Sequence, residues 1–252
     1  MKQNQPFSQH RRVFAFLLVM MVLWYWPSAG QAQYVAYDYN QNNWQYQFTL
    51  FSWLPSQNGT VTVGEKSFEA DVFFKDLMRG GGWALNGHVE AKTEKLVFLL
   101  EGIFIQSFDK DSLDELNSYI SLWEGAAGYS ILPYLDIIGG GRYFKIKTVI
   151  REGGVSEVEK HKGWFDPFVG ARTRFLIFKP VLIFARADMG GFGLGSKFSW
   201  NISAGVGLRL SNFALLGGYR IWDVQYESGT GLEYFKYDVR HAGPEVGFTL
   251  FF

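Results

Sequence analysis

The sequence predicts an all-β chain, a single antiparallel transmembrane β-barrel of ten strands, with eight strands as the alternative count. Three observations carry that expectation. Apolar and polar residues alternate with period two along most of the chain, as in Trp200 to Leu210, where Trp200, Ile202, Ala204, Val206, Leu208 and Leu210 oppose Asn201, Ser203, Gly205, Gly207 and Arg209. Connections between such segments are by turns short and long. The composition is unusually aromatic for its neutral charge: 18% Phe, Trp and Tyr beside 24 basic and 24 acidic residues. That neutrality gives no electrostatic drive toward nucleic acid, and the lack of cysteine excludes disulfides, thiol catalysis and thiolate metal sites.

In chain order, residues 1–32 read as a signal peptide. Lys2, Arg11 and Arg12 precede the apolar stretch Val13 to Trp26, and Gly30-Gln31-Ala32 offers small residues for cleavage. The mature chain, residues 33–252, is then a single barrel domain of charge −3. No later stretch approaches the ~18 apolar residues of a membrane helix. The first strand spans Trp44 to Trp53, with Trp44, Tyr46, Phe48 and Leu50 opposing Gln45, Gln47 and Thr49.

The connection from Leu54 to Gly81 is the longest. Val61 to Val63 and Phe68 to Val72 are expected to form a small hairpin around Gly64-Glu65-Lys66, and Asp71 to Arg79 a helical turn; as a unit, residues 54–81 would cap the mouth or plug the lumen. Further strands follow at about Gly82 to Lys92, Leu96 to Gln106, Ser118 to Ser130, Tyr134 to Lys147, Gly163 to Ile177, Val181 to Met189 and Phe213 to Asp223, with the last ending at Phe252. Thr93 to Lys95, Ile131 to Pro133, Phe178 to Pro180 and Ser211-Asn212 are tight turns. Phe108 to Asn117, Thr148 to Lys162, Gly190 to Ser199 and Val224 to Glu233 are long, and the charges of the first two read as solvated loops.

Short turns on one side, long connections on the other and an even strand count are the layout of an outer-membrane barrel, with periplasmic turns and extracellular loops. Closure then requires Trp44 to Trp53 to pair with Glu245 to Phe252. Trp44, Trp53, Trp83, Trp123, Tyr129, Tyr134, Tyr143, Trp164, Trp200, Tyr219 and Trp222 fall near strand ends and are assigned to interfacial girdles, with core filling as the alternative.

Several motifs together carry a family resemblance: Trp53-Leu54-Pro55 with Gly59-Thr60-Val61, the run Asp136-Ile137-Ile138-Gly139 to Arg142-Tyr143, Trp164-Phe165-Asp166-Pro167-Phe168-Val169-Gly170, Gly190-Gly191-Phe192-Gly193 with Trp200, and Gly218-Tyr219-Arg220. In order and spacing the chain resembles a widespread group of proteobacterial outer-membrane β-barrel proteins of unassigned function. Its last eight residues are similar to the C-terminal aromatic signal read by the barrel assembly machinery, with Glu245, Gly247, Leu250 and Phe252 at the matching spacings. The resemblance implies location in the outer membrane of a Gram-negative bacterium after signal cleavage. The partners expected are membrane lipid, lipopolysaccharide and the assembly machinery; the barrel is expected to be a monomer without cofactor. No substrate is implied.

Turn lengths assign faces, because a slip of one residue flips a strand. A two-residue turn at Glu94-Lys95 sets His88 opposite Glu101 and points both inward with Glu90 and Lys92. The turns at Ile131 to Pro133 and Phe178 to Pro180 place Glu124, Asp136, Arg142, Asp166, Arg172, Arg174, Arg186 and Asp188 inside. Ser211-Asn212 sets Ser203 opposite Arg220, with Arg209 nearby, and the last strand adds His241 and Glu245. Acids and bases balance. Interleaved opposite charges fill space, whereas an ion-selective pore carries an excess of one sign, so the expected role is structural or envelope-associated with a filled polar lumen. A narrow solute channel is the alternative, and a barrel hydrolase using His88 and Glu101 with Ser203 is weaker because this register separates Ser203 from both. His88, Glu90 and Glu101 are also a metal set on paper, but an ion pair is the plainer reading; neither catalytic nor metal residues are assigned.

Overall fold

The computed structural model describes residues 44–73, 83–107, 115–152 and 156–252. The signal segment and most of the expected helical turn, residues 74–79, lie outside the described residues. Among the described residues twelve strands form: β1 (Gln45–Trp53), β2 (Ser56–Val63), β3 (Lys66–Val72), β4 (Trp83–Lys92), β5 (Leu96–Ser107), β6 (Glu115–Leu132), β7 (Leu135–Glu152), β8 (Ser156–Phe178), β9 (Val181–Gly190), β10 (Phe198–Leu210), β11 (Phe213–Ser228) and β12 (Phe235–Phe251). Ten of them, β1 and β4 to β12, close antiparallel, neighbour to neighbour, with β1 also pairing β12 from Gln47↔Phe251 to Trp53↔Glu245. Hydrogen bonds between Tyr46 and Phe252, Phe252 N–H to Tyr46 C=O at 2.9 Å and the reverse at 3.3 Å, complete the seam.

The registers follow from turn chemistry. Thr93 accepts hydrogen bonds from the N–H groups of Leu96 (2.9 Å) and Lys95 (3.3 Å) through its Oγ1, which locks the two-residue turn and sets His88 opposite Glu101. Ser203 faces Arg220. At the next turn the three-residue expectation gives way: Leu132 pairs Leu135 around Pro133-Tyr134, and a bulge at Ile131 sets Glu124 opposite Arg142. The bulge adds a residue on one strand, so the inward parity of Glu124, Asp136 and Arg142 survives.

The described part of the first long connection, residues 54–73, belongs to the barrel wall. Its hairpin, β2 and β3, continues β1 along β12 in unbroken register: Trp53 faces Glu245 and Ser56 faces Ala242. Pro55, which has no N–H to give, interrupts the strand, while Leu54 still donates to Pro244 at 3.0 Å. Here the chains crowd, and a Cβ on Gly243 would lie 2.0 Å from the Leu54 carbonyl oxygen. The hairpin then returns through β3, and Val61 and Ala70 turn inward to join the barrel core. Asp71 and Val72, expected to begin a helical turn, belong to β3.

Other connections also prove shorter than expected. Residues 148–152 and 156–162 extend β7 and β8, pairing Arg151 with Glu157 and Lys147 with His161, and residues 224–228 extend β11. In the sequence these segments read as polar or charged connections rather than strands. Above the bilayer an outward face has no lipid to meet and becomes polar, so the same strand loses the signature that marks it lower down.

At membrane level the outward face is apolar. Leu85, Leu100, Leu215 and Val206 are all about half exposed or more, and nothing but lipid satisfies such a belt. Val206, at 57% exposure, sits mid-way along the apolar run of β10. Val206→Arg is expected to cost about 2–4 kcal/mol of stability near the midplane, measured by urea unfolding in lipid vesicles; a cost near zero would place that face in water.

Candidate functional site: the barrel lumen

Inward parity collects the charged side chains into one connected network. At the short-turn end, Asp136 accepts from Lys92 Nζ (2.8 and 3.0 Å), Ser130 Oγ (2.6 Å) and Arg172 Nε (3.0 Å). Arg172 also grips Glu90 with both terminal nitrogens, at 2.6 and 2.8 Å. Arg174 donates to Gln47 Oε1 at 2.5 Å and lies 3.7 Å from Glu90. His88 bridges upward, its Nε2 3.6 Å from Glu90 and its Nδ1 3.5 Å from Glu101. Glu101 takes Arg220 Nη1 at 2.6 Å, and Arg220 Nε donates to Asn201 Oδ1 at 2.7 Å.

Mid-barrel, two arginines share two carboxylates. Arg142 donates to Glu124 at 2.6 Å and to Asp188, while Arg186 lies 2.6 Å from Glu124 and donates to Asp188 at 2.8 Å. Both guanidinium planes approach the Phe168 ring, at 4.1 and 5.3 Å from its centroid, where its π face favours cations. Arg172 and Arg186 are cross-strand neighbours. Their repulsion is relieved because carboxylates draw one toward the short turns and the other toward the long-loop end. With Glu245 beside Arg220, the interior holds Glu90, Glu101, Glu124, Asp136, Asp188 and Glu245 against Lys92, Arg142, Arg172, Arg174, Arg186 and Arg220, a neutral set.

Three members of the expected network lie elsewhere. Asp166, although opposite Arg142 in register, accepts from the Ser196 N–H (2.6 Å) and Ser199 Oγ (3.3 Å), and so pins the loop between β9 and β10. Arg142 is left to the two carboxylates nearer the barrel centre. His241 is buried among rings, its Nε2 2.8 Å from the Tyr237 hydroxyl and its ring beside Trp53 and Trp222. Arg209 stacks 4.3 Å over Phe251 at the short-turn mouth.

Above the charges lies an aromatic layer that the sequence reading missed. Phe144 stacks between Trp164 (4.9 Å) and Trp222 (4.8 Å), Trp164 stacks on Tyr226 at 3.9 Å, and Phe235, Tyr237 and Trp53 complete the core with Ile103, Ile120 and Leu122. Trp53, Trp164 and Trp222, assigned to girdles, are 0, 5 and 2% exposed and face inward. Their parity carried the signal: Trp222 shares a face with Arg220, and Trp164 with Asp166. Trp44, Trp83, Trp123, Tyr129, Tyr143 and Tyr219 do face outward and are exposed.

Between the network and the β10 to β12 wall lies a cavity of about 110 Å³, lined by His88, Glu101, Ser203, Arg220 and Glu245 among others. The barrel thus brings Ser203 to the same cavity as His88 and Glu101, which strand register alone separated. No hydrogen bond joins Ser203 to His88, whose two nitrogens face carboxylates. Those carboxylates flank the ring on opposite edges, so they cannot converge with it on one ion, and no cluster of three metal-binding groups exists among the described residues. A second pocket of about 240 Å³ forms a vestibule at the short-turn end, lined by Gln47, Glu90, Lys92, Arg209 and Phe252 among others.

Fold and lumen together define a closed ten-stranded membrane barrel whose interior is occupied by its own side chains. No family model matches the chain, and no curated protein matches it. Solved structures similar in outline include Neisserial surface protein A (11% identity, 82% of this chain and 96% of that one, TM-score 0.36). Two more are the attachment invasion locus protein Ail of Yersinia pestis (9%, 83% and 99%, 0.40) and the translocator domain of the autotransporter NalP from Neisseria meningitidis (11%, 97% and 98%, 0.38).

Proposed function

We propose that the chain is an integral outer-membrane protein of a Gram-negative bacterium with a structural, envelope-associated role, closed to ion and solute flow and without catalytic activity. The observation that carries this reading is the stacked interior, an aromatic layer over a neutral charge network. A conducting bore needs a continuous wet path and usually a ring of one sign, whereas here rings pack at 3.9 to 4.9 Å above paired charges. Wild-type protein in planar bilayers is expected to show no steady single-channel current. Large, ion-selective currents would overturn the closed barrel and favour a narrow channel.

The assembly machinery, lipid and lipopolysaccharide are the partners this reading requires. Phe252 is 74% exposed and joins the seam through backbone bonds to Tyr46, so its ring is open to recognition. Deleting Phe252 is expected to lower outer-membrane assembly in cells while leaving stability after refolding in detergent nearly unchanged; equal losses would mean that it acts only through packing. Gly247 is unsuited to that test, because a Cβ there would lie 2.5 Å from the Phe51 Cβ and would strain the barrel itself.

A further inference from the structure

The mid-lumen cavity has a chemistry that the closed-barrel role does not use. Its apolar wall comes from Leu99, Phe184 and Leu216. Its polar groups are not equally occupied: the arginines on it are engaged by carboxylates or by Gln47, whereas the Glu245 carboxylate, 9% exposed, accepts no hydrogen bond among the described residues, and the Ser203 hydroxyl makes none. The unused capacity includes acceptors on Glu245 and Ser203 and also the buried His88 Nε2, which has no hydrogen-bond partner among the described residues, so a matching ligand brings a hydroxyl, which both donates and accepts. Because the surrounding network is already neutral, a charged ligand would leave a buried charge without a counterpart. At about 110 Å³ the space is somewhat smaller than a 150 Å³ cavity that holds benzene.

From this we propose that the cavity binds a small uncharged molecule with an apolar body and one hydroxyl donor, of the alcohol or phenol class, hydrogen-bonded to Glu245 and Ser203. Entry is from the short-turn vestibule, since the aromatic layer closes the other side. Arg174 lines the cavity, Gln47 lines the vestibule, and the 2.5 Å hydrogen bond between them lies across the way in. Only the side of entry rests on the closed-barrel reading. If the wild type conducts but still binds saturably, the closed barrel fails and the site stands.

The test is a 19F NMR titration of 4-fluorophenol against the refolded mature chain in nanodiscs, with fluorobenzene and methylammonium as comparison probes. Saturable 4-fluorophenol binding is expected, with fluorobenzene at least tenfold weaker and methylammonium weaker than both. Leu216→Trp, which fills the cavity, should abolish saturation, and Arg174→Ala should speed exchange without abolishing binding. Equal binding of fluorobenzene, tighter binding of methylammonium, or a 4-fluorophenol signal unchanged in a folded Leu216→Trp barrel would overturn the site. Unchanged exchange in Arg174→Ala would overturn the proposed way in. Should Leu216→Trp fail to fold, the comparison of probes on the wild type decides alone.

Discussion

Arg142→Ala is expected to destabilise the barrel by about 3–5 kcal/mol. Arg142 is 1% exposed, and its removal strips Glu124 and Asp188 of one of the two cations they share, leaving Arg186 to serve both. The Phe168 ring also loses the guanidinium at 4.1 Å. No outer solvent reaches this level to screen the carboxylates, so the cost is that of an uncompensated buried charge rather than of a surface pair. Reversible urea unfolding in lipid measures it, with Arg240→Ala as the comparison. Arg240 pairs Asp223 at 2.8 Å on the outer face but is 57% exposed, and its loss should cost no more than about 1 kcal/mol. Similar losses for both variants would show that the interior network is wet and screened.

Trp222→Ala is expected to cost about 3–5 kcal/mol and also to open the lumen. Trp222 is 2% exposed and contacts Phe144, Trp53 and His241, so its truncation leaves a void at the centre of the layer that closes the long-loop end. A void bordered by the imidazole of His241 and the charge layer below has the polar partners needed to admit water. Planar bilayers should then show intermittent small currents absent from the wild type. A destabilised variant that remains silent would place the barrier to ions in the charge network instead.

Strand number, closure, seam and inward parity were all legible in the sequence, because a membrane barrel repeats one local rule: apolar outward, polar inward, reversing at each turn. The residue types at turns then set register, so His88 against Glu101 and Ser203 against Arg220 could be read from counting alone. The rule is tied to lipid, and it failed where lipid ends. The strand extensions at residues 148–152 and 156–162 and the hairpin along β12 read as loops in the sequence although their backbones pair as strands. Trp53, Trp164 and Trp222 read as girdle residues because nearness to a strand end was weighed above parity.

What only the tertiary structure decided is contact across the bore. Neighbouring strands are related by register, but Arg172 reaches Glu90, Arg220 reaches Glu101 and Arg174 reaches Gln47 between strands that are not paired. Those distances depend on barrel diameter, strand tilt and side-chain length together, none of which is local in sequence. For the same reason Asp166 and His241, inward by parity, were expected in the charge network and instead hold a loop and an aromatic layer. Parity says which side chains enter the lumen; closure of the wall decides which of them meet.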